Sequence, residues 1–278
     1  MARLSCAALA GLLFSACTAP VTEAKPPVNA AAITLPEPAE LARVLGVAPQ
    51  TVRVHEPHLF VGDARPLIEY SAFRSEDVLN HVLGSGWEKS EDEIELRALD
   101  GYFVRVPVTK LKQHRAYFAV ARADGSPFTV DNPAQQETNL PLGPYYLIWD
   151  NVKHPELIRD GAAHWPYQVS TVALRAPAMH SLLPEGVAPA YRRHAELAQK
   201  YCLSCHLVNG YGGDKMPINL ADRVKRLSEP AFLTWVLDPA AVDAYTAMPA
   251  MAPMLPQAER ERIARELYEY FLQLPVHQ

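Results

Sequence analysis

Tyr201-Cys202-Leu203-Ser204-Cys205-His206 is the stretch that decides how this chain is built. Two cysteines separated by two residues and followed directly by a histidine form the Cys-x-x-Cys-His spacing of covalent c-type haem attachment. The chemistry needs that spacing. Two thiols must reach the two vinyl groups on one edge of a porphyrin as thioethers, and the adjoining histidine is then held under the iron as proximal ligand. Two other uses of paired cysteines compete. A zinc site would need a fourth ligand and usually a second cysteine pair, but the other two cysteines, Cys6 and Cys17, lie close to the N-terminus. A thioredoxin-like dithiol belongs at the end of a strand in a βαβ unit, whereas the flanks here have helical periodicity.

Outward from the motif, Tyr191, His194, Leu197, Ala198 and Tyr201 recur at helical spacing and predict an amphipathic helix delivering Cys202 at its end. Asn209-Gly210-Tyr211-Gly212-Gly213 predicts a tight loop, and Pro217 stands where a proline carbonyl could orient the His206 ring. Ser228 is placed to cap a helix with Glu229 and Pro230 in its first turn and Phe232, Trp235 and Val236 inward; Asp238-Pro239 ends it. A last helix from near Pro256 sets Ile263, Leu267, Tyr270, Phe271 and Leu274 along one stripe, with Glu261 and Arg265 as a surface pair. Between these two helices, Thr246 to Met254 offers three thioethers, Met248, Met251 and Met254.

Over roughly Pro189 to Pro275 this order of features resembles the class I cytochrome c family: a helix into Cys-x-x-Cys-His, a Gly-rich loop and proline, a Met-Pro pair, and a closing helix. The resemblance implies an all-α domain with one haem c, tethered by Cys202 and Cys205, with His206 and Met248 as axial ligands of the iron. Met251 and Met254 would then pack. Met251 as the ligand, and packing by all three, are the alternatives. A His/Met pair saturates the iron and raises its potential, which implies electron transfer rather than substrate binding.

From about Glu40 to Ala176 the pattern is mixed α and β. Val52 and Val54 suggest a strand, and Ser75 is expected to cap a short helix with Val78, Leu79, Val82 and Leu83 inward, stopped by Gly84. Glu93 to Leu99 alternates as a half-buried strand, and Asp100-Gly101 turns it into Tyr102 to Val106. Tyr117 to Ala121, Tyr145 to Trp149 and Tyr167 to Leu174 predict further strands. The helix Asp77-Val78-Leu79, Leu99-Asp100-Gly101-Tyr102 running into Val106-Pro107, Ala121 to Gly125, and Leu142-Gly143-Pro144 together resemble part of the sulfite-oxidase-type molybdopterin-binding fold. That family holds its metal by a cysteine thiolate and this region has none, so docking or another ligand is the expected use. His55 and His58 flank Glu56-Pro57 and, in a strand, would face opposite sides; they are expected as surface residues, with copper or zinc binding as the alternative. His114, His154, His164 and His180 are expected to be scattered, solvated or structural.

At the N-terminus, Arg3 and the short apolar run Leu4 to Phe14 lead into Leu13-Phe14-Ser15-Ala16-Cys17, a lipobox-like end to a signal segment. Cys17 is the expected lipidation site, and Thr18 to Pro38, rich in Ala and Pro, the tether. An ordinary secretory signal cut near Ala19 is the alternative. The chain is therefore expected to be multidomain: signal peptide 1–16, lipidated tether 17–38, an α+β molybdopterin-binding-like domain 39–180, and an all-α class I cytochrome c domain 188–278.

A formal charge of −5 argues against a nucleic-acid binder, which needs a basic face. The expectation is an exported, lipid-anchored mono-haem protein on the periplasmic side of a bacterial membrane, the outer one by default. It would exchange electrons with a periplasmic redox protein or dehydrogenase, using its N-terminal domain to dock. The alternative is an oxidoreductase whose N-terminal domain binds a pterin or metal and passes electrons to the haem. A haem-based sensor, with an open sixth position, is a third.

Overall fold

The structure, a computed structural model, describes residues 31–89 and 92–276. In chain order the larger, N-terminal part runs β1 (Ile33–Thr34), α1 (Pro38–Leu45), β2 (Gln50–His55), β3 (Leu67–Arg74), α2 (Ser75–Leu83), β4 (Glu93–Ala98), β5 (Phe103–Pro107), α3 (Val108–Gln113), β6 (Ala116–Arg122), β7 (Thr129–Asn132), β8 (Glu137–Pro141), β9 (Tyr146–Trp149) and β10 (Val169–Arg175). It continues as α4 (Met179–Leu182), α5 (Arg192–Tyr201), β11 (Leu207–Val208), β12 (Tyr211–Gly212), α6 (Leu220–Arg223), α7 (Glu229–Leu237) and α8 (Gln257–Gln273).

The hairpin read from Asp100-Gly101 is the seed of the first sheet. β4 and β5 pair antiparallel with Ile94 opposite Val106 and Leu96 opposite Val104, and Gly101 takes the positive φ of +85° that the turn needs. β10 and β1 extend the sheet in the order β1-β10-β4-β5. A second antiparallel sheet runs β2-β3-β6-β9. Tyr70, Phe73, Leu79, Leu96, Val106, Phe118, Leu147 and Val172 form a buried apolar core in this part.

The alternation in β4 puts Ile94 and Leu96 in that core, but the opposite face is not left to water. Glu93 and Glu95 are buried as well. Glu95 takes Arg105 at 2.8 Å, Arg97 at 3.2 Å and Arg175 at 3.3 Å, and Gln199 of α5 reaches Glu93 at 3.4 Å. Burial opposes ionisation of Glu95, but the three guanidinium groups prevail and hold its pKa below the ordinary carboxylate value.

The all-α class I cytochrome c domain expected over 188–278 is not seen. Among the described residues the fold is α+β with four sheets, its helices concentrated toward the C-terminus. Within that C-terminal part lies a hairpin, β11 paired with β12, turned by Asn209 at φ 49° and Gly210 at φ 84°. Positive φ at both central residues is the twist-matched two-residue turn, and Asn-Gly is the pair that adopts it most easily.

This segment is also stitched to the edge of the first sheet. The Phe103 N–H donates to the Ser204 carbonyl at 2.9 Å, and the Asp214 N–H to the Gly101 carbonyl at 3.1 Å. Periodicity reports which face of an element is buried, and is silent on which distant backbone completes its hydrogen bonds.

The helices themselves follow the pattern. α8 buries Ile263, Leu267, Tyr270 and Phe271 against Ala195, Ala198, Leu203 and Phe232 in a second apolar core. Ser228 caps α7 by accepting from the Ala231 N–H at 3.4 Å. Arg265, however, pairs with Glu229 of α7 rather than with Glu261. Ser75 makes no side-chain cap for α2, where Arg74 is the flanking residue.

The central strand β3, absent from the sequence reading, pairs with both β2 and β6 and carries a register irregularity between Ser71 and Ala72. Cys6, Cys17, the signal segment and most of the tether lie outside the described residues. Ile33 and Thr34, inside the stretch read as tether, pair with Val172 and Thr171. Among the described residues no helix is long and apolar enough to cross a membrane.

Candidate functional site

α5 ends at the motif. Cys202 is its C-terminal cap residue and donates its N–H to the Ala198 carbonyl at 2.9 Å. The chain then folds back on that cap: the Cys205 and His206 N–H groups both reach the Cys202 carbonyl, at 3.3 and 3.1 Å. Both thiols are free and half-buried. Burial pushes the Cys202 thiol up to about 12 and the Cys205 thiol up to about 11.

His206 Nδ1 lies 3.0 Å from the Met216 carbonyl oxygen. Donation there fixes the tautomer and leaves Nε2 with a free lone pair. Burial also lowers the pKa of the imidazole, which favours that neutral form. The carbonyl that orients the ring therefore belongs to Met216, one residue before the expected Pro217. Met216 is itself held by donating its N–H to the Cys205 carbonyl at 2.9 Å.

The glycines of the following loop are there for room. A Cβ on Gly212 would stand 2.2 Å from the His206 carbonyl oxygen, and one on Gly213 would stand 2.1 Å from that of Ser204. Only glycine lets this strand lie so close under the motif.

Of the three methionines between α7 and α8, Met251 is buried in the second core and donates its N–H to the Val236 carbonyl at 2.8 Å. Met254 faces Gly161 of the N-terminal part. Met248 is partly buried against the second core, on a turn where its N–H donates to the Thr246 hydroxyl at 3.2 Å.

A second polar centre, missed by the sequence reading, lies inside the N-terminal part. Glu56 is fully buried; it accepts from Tyr70 at 2.7 Å, Tyr146 at 2.8 Å, the His58 ring at 2.9 Å and the His58 N–H at 3.1 Å. Burial opposes its ionisation, but the bonds and charge of His58 and the bond from Tyr70 prevail, and its pKa is lowered. His58 is buried too, because Pro57 to Leu59 forms a 3₁₀ turn rather than a strand. His55 is half-buried and donates to the Arg65 carbonyl at 2.8 Å, so the expected surface reading is corrected for His58.

His164 is partly buried. Burial and the neighbouring Lys110 push it down to about 3, and it accepts from Lys110 at 3.0 Å. Lys110 and Lys200 of α5 share Asp160, at 3.1 and 2.6 Å, so this carboxylate bridges the two parts of the chain.

No family model matches this chain, and no curated protein matches it. The likenesses to class I cytochrome c and to the sulfite-oxidase-type fold are therefore not upheld. The motifs behind them are a few residues each, and motifs that short do not specify the architecture around them.

Proposed function

We propose that this chain carries one haem c and serves as an exported electron-transfer protein. Cys202 and Cys205 would provide the thioether sulfurs, His206 the proximal ligand and Met248 the distal one. Cys17 would carry the lipid anchor on the periplasmic side of a bacterial membrane. The observation that carries the reading is the His206 ring, whose Nδ1 is occupied by the Met216 carbonyl at 3.0 Å, leaving Nε2 as the ligand atom of a residue that directly follows the Cys202 and Cys205 pair in the chain.

The donor set fits such a group. Thiols add across vinyl groups without needing an oxidant, and a neutral imidazole with one nitrogen tied down is a directed ligand. When bound, the haem would supply one-electron exchange between Fe(II) and Fe(III). The chain's own residues do the rest. The Cys202 carbonyl holds the motif turn closed through the Cys205 and His206 N–H groups. Met216 and Ile218, both exposed and apolar, flank this turn and offer a surface for a periplasmic redox protein or dehydrogenase. The N-terminal part braces the motif through Phe103 and would extend the docking face.

The test is expression alongside a haem-attachment system, followed by haem staining after denaturing electrophoresis and iron analysis. The expected result is about one covalently held iron per chain, absent from a Cys202→Ala/Cys205→Ala variant; covalent haem surviving in that variant would sink the proposal. For the distal ligand, ferrous Met248→Ala should bind carbon monoxide readily and the parent poorly. Equal binding would remove Met248 from the site.

A further inference from the structure

β6 and β9 pair with Ala116 opposite Trp149, which sets the residues just outside that pairing side by side. His114 caps the end of α3, two residues before β6 begins, and His154 opens the 3₁₀ turn Pro155–Asp160 that follows β9. Their rings meet edge to face, centroids 5.0 Å apart. Glu156, two residues into the same turn, brings Oε1 to 3.5 Å from His114 Nδ1 and 3.3 Å from His154 Nδ1. One ligand atom from each of the three lies within 4.8 Å of the other two.

A second observation points to a ligand. His114 Nδ1 is buried and has no hydrogen-bond partner. The 3.5 Å approach of Glu156 is an ion-pair distance, too long to satisfy that nitrogen. A buried ring nitrogen left without a partner costs free energy unless something binds it.

We infer that His114, His154 and Glu156 form a binding site for a divalent transition cation of the zinc or copper class. Two imidazoles and one carboxylate select these metals over Mg²⁺ and Ca²⁺, which prefer all-oxygen shells. A tetrahedral centre with ligand bonds of about 2.0–2.1 Å has edges of about 3.4 Å. The two carboxylate–imidazole separations, 3.5 and 3.3 Å, already match such edges. Three protein ligands leave a fourth position for water or a small anion.

The surrounding charges permit the cation. Lys110 is a positive group felt at His114, and Asp160, 3.1 Å from Lys110 and 2.6 Å from Lys200, offsets part of the charge of the two lysines. Glu156 contributes one negative charge at the site itself. This inference does not rest on the haem reading, since its residues lie on other elements.

The test is Zn²⁺ titration of the full chain by calorimetry at pH 7.5, with Cys6, Cys17, Cys202 and Cys205 all changed to serine so that no thiol competes. The same titration on haem-loaded parent protein guards against misfolding of that variant. One zinc per chain is expected. His114→Ala or His154→Ala should each weaken it by about a hundredfold, because even the outer partners of metal ligands are worth about ten- to a hundredfold. Glu156→Gln should weaken it by about tenfold. Thermal unfolding without metal, unchanged between parent and variants, shows that any loss is at the site. A parent that binds no zinc, or a His114→Ala/His154→Ala double variant that binds it as the parent does, overturns the inference.

Discussion

The N–H of Phe103, the first residue of β5, donates to the carbonyl of Ser204, the residue before the second cysteine, at 2.9 Å. The edge of the first sheet is therefore the wall against which the Cys-x-x-Cys-His turn is built. Asp214 donates its N–H to Gly101 at 3.1 Å, and Lys215 pairs with Asp100 at 2.8 Å, so the contact continues along the hairpin turn.

Gly101→Ala should break this seam. An added Cβ would stand 2.4 Å from an Asp214 carboxylate oxygen and 2.9 Å from the Lys215 nitrogen, on a backbone at φ +85°. The expected loss is about 2–4 kcal/mol in urea unfolding. Gly125→Ala, at φ +75° with open space around it, isolates the backbone cost alone at about 1 kcal/mol. Equal losses at the two positions would mean that the seam adds nothing.

Gly213→Ala tests the closeness of the strand to the motif. With 2.1 Å between the new Cβ and the Ser204 carbonyl oxygen, the turn carrying both cysteines must shift. Soluble yield and covalent haem per chain should both fall several-fold, with thermal unfolding lowered by about 2 kcal/mol or more. Haem loading and stability equal to the parent would show that the turn gives way freely.

Glu56→Gln replaces a buried two-oxygen acceptor with a group that has one. Tyr70 and Tyr146 donate to different oxygens of Glu56, so one hydroxyl would then face an amide donor. The cost should be about 2–4 kcal/mol, read as a lower urea midpoint at unchanged slope. A change under about 0.5 kcal/mol would mean that water relieves the centre.

Asp160 sets an acid limit on the join between the two parts. Burial alone would raise its pKa, but Lys110 and Lys200 pull it down to about 2 from 3.8. A depressed folded pKa contributes stability that is complete above 3.8 and fades as pH falls through about 2. The melting-temperature gap between the parent and Asp160→Asn should therefore be widest near pH 6 and close toward pH 2. A gap independent of pH would mean that the carboxylate charge is not what holds Lys200.

What the sequence by itself determined is local. The Cys202-to-His206 spacing, the helices ending at Tyr201 and Leu237, the stripe along α8 and the β4–β5 hairpin are legible because their signals repeat within a turn or two. Asn209-Gly210 carried a hairpin signal too, but with strands of only two residues it read as a loop. Tertiary structure alone decided the rest: β3 at the centre of a sheet, Glu56 and His58 sealed under two tyrosines, Met216 rather than Pro217 behind His206, and His114 beside His154. Each depends on which distant strand lies alongside. Side-chain periodicity says which face is buried, whereas the backbone partner is chosen by the sum of packing and hydrogen bonds across the whole chain.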